Sequence, residues 1–274
     1  MHLPVSRRRL SNSDSIARST LIVVGALATA WAALQASRLL YSKRRRVDTT
    51  AFSHNEAAPT RRFLIVGDST GVGIGSIDSR STVSGRLAAA FPGTAIVNHS
   101  RDGACSADVP AQIEAGAGHF DLILIFVGGN DVIRLSSYES VLQAAEHALD
   151  VASSRGAHVA VVPPADLGTA PIWVWPLDAV FSRRAETVRR AWQFAMRERT
   201  NVHLVDLRMP RDRDPFRIAP RRYYSPDGIH PSADGYALWF AQITRQVPLF
   251  AEVENSERGS PMHRKSRLRA QPEW

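Results

Sequence analysis

A serine in the turn Gly67-Asp68-Ser69-Thr70, and a histidine three residues beyond an aspartate in Asp227-Gly228-Ile229-His230, are the residues of this chain best suited to covalent chemistry. A serine hydroxyl is a weak nucleophile at neutral pH. It needs a base to take its proton and a third group to orient that base. Ser69, His230 and Asp227 fit those three roles. With Asp227 and His230 three apart, a tight turn can bring the carboxylate to the second ring nitrogen and fix the imidazole in one tautomer. Attack on an acyl carbon also places negative charge on its oxygen, and losing one hydrogen-bond donor aimed there typically costs about 2.7 to 4 kcal/mol of barrier. The backbone N–H groups of Ser69 and Gly103 and the side-chain amide of Asn130 are the candidate donors. Glycine at 103 leaves the substrate oxygen free to approach the backbone closely.

Other reactive residue types have plainer readings. Cys105 is the one cysteine, which excludes an intrachain disulfide and any multi-cysteine metal site. As a nucleophile it would need a base of its own, and His230 is better matched to Ser69. Gly71, Gly73 and Gly75 lack the spacing of a dinucleotide loop, and no Walker lysine follows them. Asp68 and Asp131 are expected to bond their own turns. His99 is expected to steady its loop, and Cys105 to fill space. There is no HExxH or similar ligand spacing. Because N–H donors serve as the electrophile, the reading requires no metal and no cofactor.

The elements that must position these residues are legible from residue 61 onward. Short apolar runs at 63–66, 94–98, 121–127, 158–162 and 202–206 alternate with segments of helical periodicity at 82–91, 107–115, 138–153, 178–200 and 232–247. That alternation predicts an α/β domain, one five-stranded parallel sheet with helices on both faces. Ligands of such sheets bind beyond the carboxyl ends of the strands. Residues 67–73 follow the first run, 99–106 the second, 128–131 the third, and 226–230 come well after the fifth. All four blocks are therefore expected on one edge.

These blocks, GDST at 67–70, the 98–103 stretch, GGND at 128–131 and DGIH at 227–230, resemble the ordered sequence blocks of the SGNH (GDSL-like) hydrolase family over residues 63–240. The resemblance implies a three-layer α/β/α, flavodoxin-like fold and esterase, lipase or related acyl-hydrolase chemistry. Carried over residue by residue, it implies Ser69 as nucleophile, Asp227 and His230 completing a triad, and Gly103 and Asn130 as oxyanion donors. The implied substrate is an acyl ester or lipid-like small molecule. The same site would also serve an acyltransferase, and a silent membrane-tethered binding module is the reading from another class. The apolar, proline-rich loop after the fourth run carries Trp173 and Trp175, which are expected either to form an acyl-chain lip or to plug the sheet.

Outside this domain the chain is basic, with a net charge of +8 concentrated in Arg7 to Arg9, Lys43 to Arg46 and the C-terminal residues from Arg258 to Arg269. Clustered cations favour anionic lipid surfaces, and no specific nucleic-acid site is expected. The uncharged run between Arg18 and Arg38 would span roughly 28 Å as a helix, close to the ~30 Å of a bilayer core. Two expectations follow: a membrane anchor, or an export signal cut at Ala28-Thr29-Ala30. The dense charge at 43–46 opposes export and favours the anchor. The expected organisation is a basic tail at 1–18, a hydrophobic anchor helix at 19–41, a flexible linker at 42–60, the hydrolase domain at 61–250 and a disordered basic tail at 251–274.

Overall fold

The computed structural model describes residues 12–259, with side chains for 17–253. The basic residues 7–9 and most of the basic C-terminal tail lie outside the described residues. A long helix α1 (Asn12–Arg45) precedes the strands β1 (Arg61–Gly67), β2 (Thr94–Asn98), β3 (Phe120–Phe126), β4 (Gly156–Val162) and β5 (Val202–Leu204). All neighbouring strands pair in parallel, in the order β2-β1-β3-β4-β5. From β2 the chain crosses over β1 to reach β3. The carboxyl ends of β1 and β3 therefore flank the point where the winding reverses, and ligands of doubly wound sheets bind there.

Strands buried on both faces need apolar residues at every position, and alternate positions serve opposite layers. Leu64, Val66, Ile123, Ile125, Val159 and Val161 face one core, and Phe63, Ile65, Leu122, Leu124, Ala160 and Val162 face the other. The first face is covered by α4 (Val109–Glu114), α6 (Tyr138–Arg155) and α7 (Leu177–Ala195), centred on the fully buried Trp192. The second is covered by α3 (Val83–Ala90), α10 (Ala233–Gln246) and α11 (Pro248–Gly259). Thr82 and Ser232 cap α3 and α10, each hydroxyl accepting from the N–H three residues on, at 3.3 and 3.2 Å.

Three boundaries differ from the sequence reading. The anchor run and the basic cluster form one helix, with Lys43, Arg44 and Arg45 in its last turn, where cations oppose the negative end of the helix dipole. The expected flexible linker is docked on the domain. The Val47 carbonyl accepts from Gly75 N at 2.8 Å, and His54 forms an antiparallel bridge to Ile96 of β2. The C-terminal tail does not start at 251, because α11 runs to Gly259. Its Phe250 stacks on Phe91 with centroids 4.9 Å apart, and Val253 is 5% exposed. Burying a side chain of phenylalanine's size is worth roughly 1.5 to 3 kcal/mol, enough to hold the helix onto the sheet.

Candidate active site

The turn after β1 is built by residues that leave no choice of backbone. Gly67 has φ +127°, and a Cβ there would lie 1.7 Å from the Phe126 carbonyl oxygen. Gln112 holds its N–H and carbonyl at 2.5 and 3.1 Å. Asp68 Oδ1 accepts from Thr70 N at 2.8 Å and from Thr70 Oγ1 at 2.6 Å, starting the single turn α2 (Ser69–Val72). Asp68 is buried, and that burial pushes its carboxyl up from the ordinary value. It serves its turn, in line with the sequence reading.

Ser69 Oγ lies 3.0 Å from His230 Nε2, and His230 Nδ1 lies 2.6 Å from Asp227 Oδ2. Asp227 Oδ1 accepts from Ser225 Oγ at 2.7 Å and from the N–H groups of Ile229 and His230, each at 3.0 Å. Gly228, with φ +72°, turns the chain back so that the aspartate can reach both the backbone and the ring of the histidine. Burial alone would raise the Asp227 carboxyl. The hydrogen bond and charge of His230, with the Ile229 N–H and the Ser225 hydroxyl, outweigh it and hold the group down to about 2. Ser225, part of this arrangement, was not picked from the sequence, since a lone serine two residues before an aspartate carries no distinctive signal.

Beyond β3, Gly128 at φ +109° leads into the short helix α5 (Gly129–Ile133), which carries Asn130. The Asn130 amide donates one hydrogen to the Ala104 carbonyl at 2.9 Å and keeps its second N–H. Gly103 sits in the facing turn at φ +76°, its carbonyl held by Arg134 at 2.9 Å. No backbone acceptor among the described residues takes the N–H of Ser69 or of Gly103. Asp131 ties the two loops together: its Oδ2 accepts from Ser106 N and Ser106 Oγ, both at 2.9 Å, and Trp192 donates to the same hydroxyl at 3.2 Å. It thus spans two segments, a wider role than the local turn expected of it. His99 Nδ1 lies 3.0 Å from the Gln112 carbonyl, a loop contact as expected.

Ser69, His230 and Asn130 line an open cleft of about 540 Å³. Asp102 lines it beside Gly103. Of the two tryptophans singled out, Trp173 lines the cleft and packs on Phe181 at 4.4 Å, whereas Trp175 stands outside it, 74% exposed. A second cavity, of about 350 Å³, shares Asp68, Thr70 and Leu167 with the cleft.

Half-buried Cys105 lies near this loop. Burial, with the charge of Asp131 behind it, pushes its thiol up from 9.0 to about 11. Two units lower the thiolate fraction about 100-fold, and higher intrinsic nucleophilicity recovers about tenfold of that. Iodoacetamide at pH 7.5 is therefore expected to alkylate Cys105 about tenfold more slowly than an unhindered thiol. Intact-mass spectrometry over time checks this, and alkylation as fast as a model thiol contradicts it.

The site is thus a serine–histidine–aspartate relay with amide donors beside it, placed at the switch point of a flavodoxin-like parallel sheet, and it has the parts that acyl transfer requires. The chain belongs to the GDSL-like lipase/acylhydrolase family, whose pattern matches residues 65–238. It is 31% identical over 189 residues to a GDSL-like esterase of Mycobacterium tuberculosis, a match covering 64% of this chain and 58% of that protein's length. In fold it is similar to a lipolytic G-D-S-L family protein from Veillonella parvula (TM-score 0.52, 17% identity, 67% of this chain and 96% of that one). It is also similar to an acetylxylan esterase from Geobacillus stearothermophilus (TM-score 0.50, 18% identity, 70% and 96%).

Proposed function

We propose that the protein cleaves carboxylic esters through an acyl-enzyme on Ser69. The observation that carries this is the unbroken chain from Asp227 through His230 to Ser69, at 2.6 and 3.0 Å, at the wall of an open cleft. His230 Nε2 takes the Ser69 proton as Oγ attacks the acyl carbon. Asp227 holds Nδ1–H and stabilises the imidazolium. The N–H groups of Ser69 and Gly103 and the free N–H of Asn130 receive the oxyanion. His230 then returns the proton to the departing alcohol, and water, activated by the same ring, releases the acid.

The substrate is an acyl ester with lipid character, in keeping with the apolar residues Leu39, Ile133, Ile172 and Trp173 around the cleft. The helix α1 anchors the chain. It is long and apolar enough to cross a membrane, a property it shares with export signals, and Leu21, Ile22 and Leu27 are 66 to 72% exposed. Residues 61–250 with the rest of α11 then form the hydrolase unit.

The test is to treat the full-length protein in detergent with a small fluorophosphonate and with p-nitrophenyl esters from acetyl to palmitoyl. The expected result is phosphonylation of the Ser69 peptide and release of p-nitrophenol. A folded protein that neither labels nor hydrolyses any of them would refute the reading.

A further inference from the structure

The cleft above Ser69 is closed on one side by the helix that the sequence sets apart from the domain. Leu39, Ser42 and Lys43 of α1, with Arg46 just beyond it, line the cleft together with Ser69 and His230. The offsets of three and four place Leu39, Ser42 and Lys43 on one helical face. That face is fixed in place. Trp31 Nε1 donates to the Trp175 carbonyl at 2.7 Å, and Arg38 donates to Pro171 O at 2.8 Å. Gln35, 5% exposed, donates to Ile172 O at 3.3 Å and accepts from Val174 N at 3.1 Å. Every one of these contacts lies at or beyond Trp31, so a cut after Ala30 would leave the wall in place. The feature therefore survives the cut that the export-signal reading expects.

The wall also has a polarity. Leu39 and Lys43 lie four residues apart on the helix, about 6 Å at 1.5 Å per residue, and Arg46 follows the helix's last residue. The Leu39 end neighbours Ile172 and Trp173, the loop residues beside which Gln35 is bonded. At the other end Arg46 is paired with Asp102 and Asp48, both at 2.6 Å, and Lys43 has no ion-pair partner among the described residues. The wall therefore runs from apolar to charged along the cleft that holds Ser69.

We propose that α1 is a specificity-determining wall of the active site, with Leu39 receiving the apolar chain of an amphiphilic ester whose polar end lies toward Lys43 and Arg46. This rests on the reading of Ser69 as the nucleophile. Leu40, 60% exposed and not among the cleft residues, supplies a control one residue away on the same helix.

The experiment compares full-length wild type, Leu39→Asp, Leu39→Ala and Leu40→Asp in detergent on p-nitrophenyl acetate and octanoate, with fluorophosphonate labelling of each. Leu39→Asp is expected to lower kcat/KM for the octanoate about tenfold or more, chiefly through KM. The acetate rate should fall by much less, so that the octanoate-to-acetate ratio of kcat/KM drops, and fluorophosphonate labelling should persist. Leu39→Ala, which only shortens the wall, should shift the octanoate-to-acetate ratio the same way by about three- to tenfold. Leu40→Asp should leave both esters as in wild type. Equal effects of Asp at 39 and 40, or equal losses on both esters, would overturn the proposal while leaving Ser69 as nucleophile. Absence of labelling and hydrolysis in wild type would instead remove the reading on which it rests, and the proposal with it.

Discussion

Ser69→Ala is expected to lower kcat by about 10⁶-fold while leaving the fold intact. The size follows from what is removed. Without Oγ there is no atom for His230 to activate and no covalent intermediate, and only the donors and binding surface remain to act on a water molecule. The near absence of a structural effect follows from the contacts. Among the described residues Ser69 Oγ has one hydrogen bond, to His230, and the backbone of Ser69 keeps its part in the turn capped by Asp68. Losing one such bond costs about 1 kcal/mol, which moves the melting temperature of a domain of this size by about 2 to 4 °C. The pair of measurements is p-nitrophenyl ester hydrolysis and thermal unfolding by circular dichroism. Activity within about 100-fold of wild type in a folded variant would mean another nucleophile, and the assignment of Ser69 would fall.

Much of the molecule was legible because its strands are buried on both faces. In the run at 121–127 every residue after Asp121 is apolar, as burial on both faces demands, and β3 (Phe120–Phe126) lies under it nearly residue for residue. The helices α3 and α10 announce themselves by a hydroxyl residue at the cap and an apolar stripe behind it. The geometry of the candidate site was legible for a related reason: its groups hang on turns whose residue types are forced. The short helices α2 and α5 were not, since four or five residues carry no periodicity. The role of α1 was hidden by its composition. Trp31 and Gln35 carry no distinctive signal within an uncharged run, yet with Arg38 they are where the helix bonds the loop at 171–175. The charges at 43–46 read as a solvated linker because charge says nothing about whether a helix has ended. Trp173 and Trp175 were expected together as a lip or a plug, but an irregular loop has no fixed period to say which side chains point together, and only Trp173 reaches the cleft.

Asp227→Asn is expected to cost about 10³ to 10⁴ in kcat with little change in KM, although the substitution is isosteric. Asp227 Oδ1 already accepts from three donors, Ser225 Oγ, Ile229 N and His230 N. An amide NH₂ in that position would face three hydrogens, so the asparagine oxygen must stay there and its NH₂ must take the place of Oδ2, against His230 Nδ1. The neutral ring can then only accept at Nδ1, which puts its own hydrogen on Nε2, pointing at Ser69 Oγ. The base is present but in the wrong tautomer. The same substitution has a stability signature. A carboxyl held at about 2 against an ordinary 3.8 contributes roughly 2 kcal/mol. That contribution is complete at pH values above about 4 and fades as pH falls through about 2, because only then does the folded carboxylate take up its proton. Urea titrations of wild type and variant should therefore differ most near neutral pH and converge toward pH 2. A gap that stays constant across that range would mean that Asp227 holds the loop by shape alone and that its charge does not stabilise the histidine.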